Sequence, residues 1–288
     1  MVQQQKSVVV TGVSTGIGWG AAKVLTQAGF RVFGSVRQAA DAQRLQGELG
    51  ANFVPLTFDV TDEKAVKAAA ATVRAALGGE TLFGLVNNAG ISVAGPLLYL
   101  PLDEFRQQLE VNLTGVVIAT QAFAPLLGVD KDLRGKPGRI VNISSVGGRN
   151  ATPFITPYNV SKFGLEGLSE GLRRELMLFG IDVIVVAPGA VATAIWDKAE
   201  AIDMTRYANT PYASQLDRLR AFAARAGKRG LKPERLGRSI MHALTTARPK
   251  VRYTVTPEPI LNFVLNAVPK RVADRLVGGQ LGLLARKP

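Results

Sequence analysis

The sequence predicts an α/β fold in which a parallel sheet of about seven strands carries helices on both faces. Three observations support this prediction. Short apolar runs alternate with longer helical stretches along most of the 288 residues, as expected for strands joined by helical crossovers. A glycine-rich turn directly follows the first apolar run. Hydrophobic residues make up 47% of the chain and charged residues 20%, which favours a packed core over disorder.

The predicted strands are short runs rich in β-branched and aromatic residues, which suit a buried pleated surface. In chain order they cover Ser7–Val10, Arg31–Gly34, Phe53–Phe58, Phe83–Val86, Arg139–Ile143, Asp182–Val186 and Lys250–Val255. Helical stretches follow from the glycine turn to about Gln27, then over about Asp62–Leu77, Leu102–Leu126 and Pro157–Leu178. Because crossovers between parallel strands are right-handed, this order gives a doubly wound sheet of the Rossmann type.

We expect residues 1–288 to form a single domain, since the sequence shows no internal repeat and no low-complexity linker. Residues 194–230 fit the strand and helix pattern poorly, so we expect a helical lid there. Residues 256–288 form a predicted C-terminal tail.

The composition excludes several classes of site. The chain has no cysteine and one histidine, His242, which removes the material for disulfides, zinc centres and Ser-His-Asp triads. No metal site is therefore expected. The N-terminal residues do not form a secretory signal, and no run approaches the ~18 apolar residues of a membrane-spanning helix. We expect a cytoplasmic protein, at most peripheral to a membrane.

The net charge of +13 is concentrated in one part of the chain. Residues 1–203 hold 18 basic and 18 acidic residues, whereas residues 204–288 hold 17 basic and 4 acidic residues. This asymmetry is compatible with an anionic partner or with an ordinary solvated face.

The turn Thr11–Gly18, with the sequence TGVSTGIG, has the features of a phosphate cradle. Gly12 allows a tight turn, Gly16 lets the backbone approach a phosphate, and Gly18 permits close helix packing. The following helix N-terminus offers free N–H groups and a positive dipole to an anion. The remaining residues of the turn that we assign to this cradle are Ser14, Thr15 and Ile17.

Four polar residues follow the fifth strand at a suggestive spacing. Ser144 and Ser145 end that strand, Tyr158 comes thirteen residues after Ser145, and Lys162 comes four residues later. Tyr158 and Lys162 share one helix face. We expect the neighbouring ammonium to lower the pKa of the phenol, so that it can exchange a proton near neutral pH. Ser145 would then polarise a substrate oxygen, with Ser144 packed behind it.

With a GxxxGxG turn, a strand-end serine and a YxxxK pair, the chain resembles the short-chain dehydrogenase/reductase family over about residues 7–195. Val146-Gly147-Gly148 and Lys250-Val251-Arg252-Tyr253 look like the branch of 17β-hydroxysteroid and retinol dehydrogenases. The resemblance implies a single NAD(P)-binding domain that interconverts an alcohol and a ketone or aldehyde. Tyr158 would be the acid/base, Lys162 would also bind the nicotinamide ribose, and Asn112, in EVNLTG, would complete a tetrad by holding a water.

The same resemblance implies the rest of the cofactor site. Relatives that prefer NAD carry an acid where this chain has Val36, and Arg37 beside it supplies a planar cation suited to a 2′-phosphate. We therefore predict NADP(H), with Ser14 and Ser35 as possible helpers of Arg37. The further residues implied in cofactor contacts are Asp59, Val60, Asn88, Ala89, Gly90, Pro188, Gly189, Val191 and Thr193.

Two other function classes stay open at this point. One is a catalytically silent NADP-binding sensor or scaffold of the same fold, against which the filled tetrad argues. The other is a nucleic-acid binder, which the basic last third alone suggests; we expect no nucleic-acid partner, because the sequence has no zinc-finger or RNP-type motif. The branch implies a bulky apolar substrate, such as a steroid, a retinoid or another lipid. The lid residues Ile195, Trp196, Met204, Tyr207, Tyr212 and Phe222 either contact that substrate or simply pack the lid.

Two surfaces are candidates for contact with partners. The helices around Phe105–Leu126 and Pro157–Phe179 carry more apolar surface than one sheet face covers, and relatives pair them, so we predict a homodimer or homotetramer. In the tail, apolar residues recur at helical spacing over residues 259–268, followed by Pro269 and by the cations Lys270, Arg271 and Arg275. This face either walls the substrate cleft, which is the working expectation, or lies on an anionic membrane surface.

Overall fold

The computed structural model describes residues 5–193 and 205–284. Its sheet has seven strands in the order β3-β2-β1-β4-β5-β6-β7, and every neighbouring pair is parallel. The strands are β1 Ser7–Val10, β2 Arg31–Val36, β3 Phe53–Thr57, β4 Gly84–Asn87, β5 Arg139–Ile143, β6 Asp182–Pro188 and β7 Arg252–Val255. The predicted doubly wound sheet is confirmed. The strand order reverses between β1 and β4, which is where such sheets bind ligands.

Helices cover both faces of this sheet. They are α1 Gly16–Gln27, α2 Ala39–Leu49, α3 Glu63–Leu77, α4 Leu102–Leu109, α5 Gly115–Phe123, α6 Thr156–Glu175, α7 Ala213–Arg229, α8 Pro233–Thr245, α9 Pro259–Ala267 and α10 Lys270–Leu281. Short 3-10 turns occupy Ala124–Leu127, Val146–Gly148, Leu176–Phe179 and Thr205–Tyr207. The sequence analysis did not delimit α2 or α8.

The helix predicted over about Leu102–Leu126 is confirmed, and it runs without a break over Leu102–Leu127. Within it, a π-helical turn at Glu110–Thr114 separates α4 from α5. Such turns are often found at functional sites. Asn112 lies in this turn, and its side-chain oxygen accepts from the Ile91 backbone N–H at 2.9 Å. The turn thus brings a buried amide side chain to the loop that follows β4.

The core consists of two apolar layers, one on each face of the sheet. On one face, α1 and α8 cover β1, with Leu25, Leu236 and Ile240 all 0% exposed. Small residues make this contact close, because a Cβ on Gly20 would lie 2.5 Å from the Pro233 carbonyl carbon. On the other face, α3 and α5 pack against the sheet. They enclose a second buried cluster, which includes Phe123 of α5 and Val183 near the start of β6.

The stretch Leu102–Leu127 is long and apolar enough to cross a membrane by length and composition alone. That test is also passed by core helices of globular proteins. Here Phe123, Leu126 and Leu127 are buried in the second core layer. The apolar character of the stretch is therefore explained by its packing against the sheet.

A third, smaller apolar cluster lies over the carboxyl edge of the sheet. It joins the loop after β4 to the start of α6, to α7 and to the end of α10, through Ala94, Phe154, Tyr207, Leu216, Leu219 and Leu281. We call this cluster the cap. It includes the described part of the predicted lid, whereas residues 194–204 lie outside the described residues.

Candidate active site

The glycine turn between β1 and α1 has the backbone geometry that the sequence predicts. Gly12 and Gly16 have φ values of 69° and 65°, a region that favours glycine because other residues are strained there. A Cβ on Gly18 would lie 2.1 Å from the Gly12 carbonyl oxygen. All three positions therefore require glycine, for the turn itself or for the close packing beneath it.

Asn88 and Thr11 hold this turn against the end of β4. The Asn88 side-chain amide donates to the carbonyls of Thr11 and Gly12, both at 2.9 Å. The Thr11 hydroxyl accepts from the backbone N–H groups of Asn88 and Ala89, both at 3.0 Å. Because these bonds satisfy the local polar groups, the N–H groups that open α1 remain directed outward from a rigid support.

The other predicted turn residues occupy different positions. Thr15 is exposed at the N-cap of α1, and Ser14 and Ile17 are half-buried. The prediction for Ser35 as a helper of Arg37 is wrong. Ser35 is 2% exposed, and its hydroxyl accepts from the Gly12 N–H at 2.9 Å, so it braces the turn and does not face a bound phosphate.

Two arginines lie near this glycine turn. Arg37 follows β2 with an exposed side chain and lies 3.9 Å from Asp59. Arg44, which the sequence analysis missed, donates from α2 to the Ser14 carbonyl at 2.8 Å. In the sequence, Arg44 appears only as a cation on the solvent-facing side of a polar helix, which is common on protein surfaces. Val36 is 2% exposed and packs in the core, so no carboxylate stands at that position.

Asp59 and Val60 lie after β3, on the same edge of the sheet. Burial alone would raise the pKa of the Asp59 carboxyl, but hydrogen bonds from Thr61 and the charge of Arg37 outweigh this effect and lower it. Val60 is buried, and a Cβ on Gly115 would lie 2.8 Å from its methyl group. Asp59 is thus ionised at neutral pH, and Val60 anchors α5.

The segment after β6 reaches back to the glycine turn. Pro188 ends β6, and the Gly189 N–H donates to the Val255 carbonyl at 2.9 Å. A Cβ on Gly16 would lie 3.3 Å from the side chain of Thr193. Val191, expected to contact the cofactor, has a side chain that is 4% exposed and packs in the core. Its side chain therefore contributes to the core.

Ser145 and Tyr158 meet at the carboxyl end of β5. The Ser145 hydroxyl accepts from the Gly147 N–H at 2.9 Å and caps the Val146–Gly148 turn. Burial raises the pKa of Tyr158 above its usual value, and a hydrogen bond with the Ser145 hydroxyl works in the opposite direction. Ser144 is 1% exposed and lies behind this pair, as predicted.

Lys162 lies one turn of α6 after Tyr158, as the sequence predicts. Its ammonium donates to the Ile143 carbonyl at 2.8 Å and is 5.6 Å from the centre of the Tyr158 ring. Burial lowers the pKa of Lys162 to about 8, while the carboxylate of Glu166 raises it. The prediction that Lys162 lowers the pKa of Tyr158 is not met, because the ammonium is directed to β5 and burial of the phenol dominates.

Asn112 connects three elements of the site. Its side-chain amide donates to the Ile91 carbonyl at 3.1 Å and to the Ser161 hydroxyl at 3.0 Å. Ser161 in turn donates to the Tyr158 carbonyl at 2.7 Å. Gly90 lies close by, since a Cβ there would be 3.2 Å from the Asn112 side-chain oxygen. The amide thus links the loop after β4 to the helical turn that carries Tyr158.

The residues present fit a dinucleotide. Any side chain at Gly12, Gly16 or Gly18 would fill the cradle or clash with its floor, while Arg37 and Arg44 place two permanent cations at the far end of the turn. Backbone N–H groups at a helix N-terminus together with guanidinium groups form a donor set for phosphates.

The described aromatic residues of the lid pack within the cap. Tyr207 is 1% exposed and stands against Gly95, where a Cβ would be 2.4 Å from the phenol oxygen. Tyr212 makes edge contacts with Tyr99 and Phe154, with ring centres 6.2 and 5.5 Å apart. The remaining lid candidates, Ile195, Trp196, Met204 and the side chain of Phe222, lie outside the described residues.

The chain matches the family model of the short chain dehydrogenases over residues 6–203. It is 36% identical to an NADPH-dependent 3-dehydrocapnine reductase of Ornithobacterium rhinotracheale, over 93% of this chain and 94% of that protein. It is 32% identical to retinol dehydrogenase 16 of Mus musculus, over 95% of this chain and 88% of that protein.

The fold is also close to that of a solved reductase. A single-substitution variant of the actinorhodin polyketide ketoreductase, solved with NADPH, superimposes with a TM-score of 0.73 at 29% identity. The match covers 89% of this chain and 97% of that chain. Sequence and fold therefore both place the chain among reductases and dehydrogenases, and its relatives include a member of the retinol dehydrogenase branch.

Proposed function

Because the chain belongs to the short-chain dehydrogenase family and is thus a nicotinamide-dependent oxidoreductase of alcohols and carbonyl compounds, we propose that it reduces a ketone with NADPH. The observation that carries this proposal is the convergence of Ser145, Tyr158 and Lys162 at the carboxyl end of β5. The glycine cradle lies on the same edge of the sheet, after β1.

NADPH, when bound, supplies the hydride, and the side chains of this chain handle the proton. Tyr158 keeps its proton at neutral pH because burial raises its pKa, which is the form needed to protonate a carbonyl oxygen as negative charge develops there. Ser145 donates a hydrogen bond to the same oxygen. Lys162 provides a positive charge and an ammonium donor beside Tyr158, and this charge is present below about pH 8.

The preference for NADP(H) rests on Arg37 and Arg44. Either guanidinium can donate to a 2′-phosphate, and each such charge-assisted bond contributes ~1.5–3 kcal/mol. No acidic side chain stands at Val36 to repel the phosphate. Asp59 is the nearest described acid to Arg37. The relative from Ornithobacterium is NADPH-dependent by name, which agrees with this assignment.

The proposed substrate is a bulky, largely apolar carbonyl compound. The cap places apolar and aromatic side chains over the carboxyl edge of the sheet, next to the loops that carry Ser145 and Gly189. A retinol dehydrogenase among the relatives also handles a large apolar alcohol, as its name states. The substrate itself is to be identified by activity.

The test is oxidation of NADPH followed by absorbance, with steroid, retinoid, long-chain aliphatic and sugar ketones side by side. We expect turnover of one or more apolar ketones and none of the sugars. If no ketone is turned over while NADPH binds tightly, the alternative of a silent NADP-binding sensor or scaffold is supported instead.

The assembly proposed from the sequence is a two-fold symmetric homodimer or homotetramer. Val160 and Phe163 on α6 are 41% and 45% exposed, and Met177 and Leu178 just after it are 72% and 81% exposed. Exposed apolar residues on α6 and on the turn that follows it suit a contact across a two-fold axis. Light scattering at micromolar concentration distinguishes this assembly from a monomer.

The expected role of the tail as a wall of the substrate cleft stays a prediction, and part of α9 does border a cleft. Asn262 and Asn266 of α9 border an open cleft of about 350 Å³ with Arg149 and Arg252, whereas Ile260 is 79% exposed. Pro259 and Phe263 border the same cleft, so α9 presents both polar and apolar side chains to it. We propose that the protein is cytoplasmic and that the exposed part of α9, together with α10, contacts an anionic membrane surface.

A further inference from the structure

A partly buried ion pair lies directly behind the catalytic residues. Arg252 on β7 donates from Nε to both carboxylate oxygens of Glu166 on α6, at 3.2 and 3.1 Å. The two side chains are 13% and 17% exposed. A pair that is this shielded from water has a large effect on nearby charges, because water screens their fields only weakly.

Each partner of this pair also touches the catalytic machinery. Glu166 lies one helical turn after Lys162, and among the described residues its carboxylate is the charge that acts on the ammonium. Arg252 donates from Nη2 to the Ser145 carbonyl at 3.4 Å. The Val146–Gly148 turn is tight against this face, since a Cβ on Gly148 would lie 3.1 Å from Glu166 Cγ.

We propose that Glu166 and Arg252 are positioning residues for the reaction: together they set the charge state of Lys162 and hold the backbone of Ser145. This inference rests on the proposed function, in which charged Lys162 supports Tyr158. Glu166 favours the charged ammonium, and Arg252 limits that effect by neutralising the carboxylate.

The charged groups around Lys162, Glu166 and Arg252 belong to three elements of the fold. On α6 they are Lys162 and Glu166, with the neutral phenol of Tyr158 beside them. On β7 the charge is Arg252, and on the loop after β5 it is Arg149, whose positive charge acts on Arg252. Among these described groups Glu166 carries the negative charge, and the other three charges are positive. Removing the Glu166 carboxylate must therefore shift the protonation equilibrium of Lys162 toward its neutral form.

The test uses two variants that break the same ion pair in opposite ways. Glu166→Gln removes the negative charge, so the pKa of Lys162 falls and the alkaline limb of kcat/KM moves to lower pH by about one unit. Arg252→Met leaves the carboxylate without its partner, so the limb moves to higher pH. The pH dependence of NADPH binding, measured by fluorescence, should shift in the same directions.

Glu170→Gln is the matched control. Glu170 lies one turn further along α6 and pairs with Arg174 at the surface, so its removal should leave both pH profiles unchanged. Arg252→Lys, which keeps the charge, should restore most of the profile lost in Arg252→Met.

The proposal is overturned if Glu166→Gln leaves the alkaline midpoint in place, or if both variants move it in the same direction. The Glu166→Gln measurement decides the matter alone if Arg252→Met does not fold, because Gln keeps the size of Glu and its hydrogen-bonding oxygen. If the variants stay active and their pH profiles do not shift, the positioning role is refuted. The proposed function would still hold in that case, because the variants would still reduce ketones. An unmodified protein with no reductase activity would instead count against the proposed function.

Discussion

Residues 5–193 form a first region of the chain and residues 205–284 a second, and the central strands of the first and helix α9 of the second expose their apolar side chains to very different extents. In the first region the strands at the centre of the sheet are closed to solvent, and Val8, Val9 and Val10 are each 0% exposed. In the second region α9 has no buried residue, and Phe263 is 71% exposed. The first region holds the cofactor cradle and the catalytic residues, whereas the second supplies most of the cap and all of the tail.

The hydrogen bonds differ in the same way. In the first region buried side chains connect loops through hydrogen bonds. Asn88 connects the glycine turn to the end of β4, and Asn112 connects the loop at Ile91 to α6. Such networks fix geometry because every unmade bond would leave a buried polar group unsatisfied. The second region is joined to the first by the packing of α8 on α1, by the pairing of β7 with β6 and by the apolar contacts of the cap. We therefore expect changes at the proposed catalytic residues of the first region to affect turnover, and changes in the cap or the tail to affect substrate choice.

The largest effect is expected from Tyr158→Phe in the first region. The change removes the transferable proton and leaves the ring, so turnover should fall by ~10²–10⁴-fold while NADPH binding is nearly unchanged. Lys162→Ala should reduce both. Steady-state kinetics and NADPH fluorescence measure the two quantities. Residual turnover above a few per cent in Tyr158→Phe would contradict the proposed mechanism.

A smaller effect is expected at the cofactor end. Arg37→Ala should lower kcat/KM for NADPH by ~10-fold or more and leave the value for NADH unchanged, because it removes a donor to the 2′-phosphate. Arg44→Ala should lower the values for both cofactors and the value for NADPH more, because Arg44 also holds the Ser14 carbonyl of the cradle. Arg106→Ala, which removes an exposed arginine paired with Asp103, is the control. Equal use of NADH and NADPH by the unmodified protein would refute this assignment. Val36→Asp is a poorer test, because Val36 is buried in the core.

The burial of charged Lys162 should lower the free energy of unfolding of the protein at neutral pH. The pKa of Lys162 is about 8 in the fold against an ordinary value of 10.5, so the unfolded chain binds more protons between these values. Stability therefore rises with pH from about 8 to 10.5. At neutral pH Lys162→Met should abolish activity and stabilise the fold by roughly 2 kcal/mol, after allowing for the lost bond to Ile143. Chemical denaturation at pH 7 and at pH 11 measures this gain, which should vanish at the higher pH.

The same division explains what the sequence could predict. Runs such as SVVV at Ser7–Val10 are apolar throughout because both faces of a central parallel strand are buried, so strands were predicted within a few residues. Helix α2 was missed because only Ala42 and Leu45 are buried along it, which leaves a weak periodic signal. The π turn at Asn112 depends on a bond to Ile91, and no local pattern encodes that contact.

Site residues follow the same logic. Motifs located Ser145, Tyr158 and Lys162 because their spacing along β5 and α6 is fixed by local structure. Glu166 and Arg252 are 86 positions apart in the chain, so their pairing becomes visible only in the fold. The direction of the Tyr158 pKa was wrong for a related reason, since burial depends on the surroundings of the phenol and its sequence neighbours report only Lys162.

The smallest expected effect concerns the tail, and it tests whether the exposed second region has a partner. Ile260 and Phe263 are 79% and 71% exposed on α9, and Lys270 and Arg271 open α10 beside them. An apolar helix face next to cations is typical of helices that lie on anionic bilayers, where each cation adds ~1 kcal/mol and salt weakens the contact. We expect the protein to sediment with vesicles containing phosphatidylserine at low salt, and Ile260→Ser with Phe263→Ser to abolish this while turnover of a small soluble ketone is retained. The paired control is Leu98→Ser, which removes a side chain that is 78% exposed in the loop after β4 and should leave sedimentation unchanged. If the unmodified protein does not bind these vesicles, or if turnover of bulky ketones falls in the α9 variant without any change in binding, then α9 is a wall of the cleft and the two regions share the work of substrate binding.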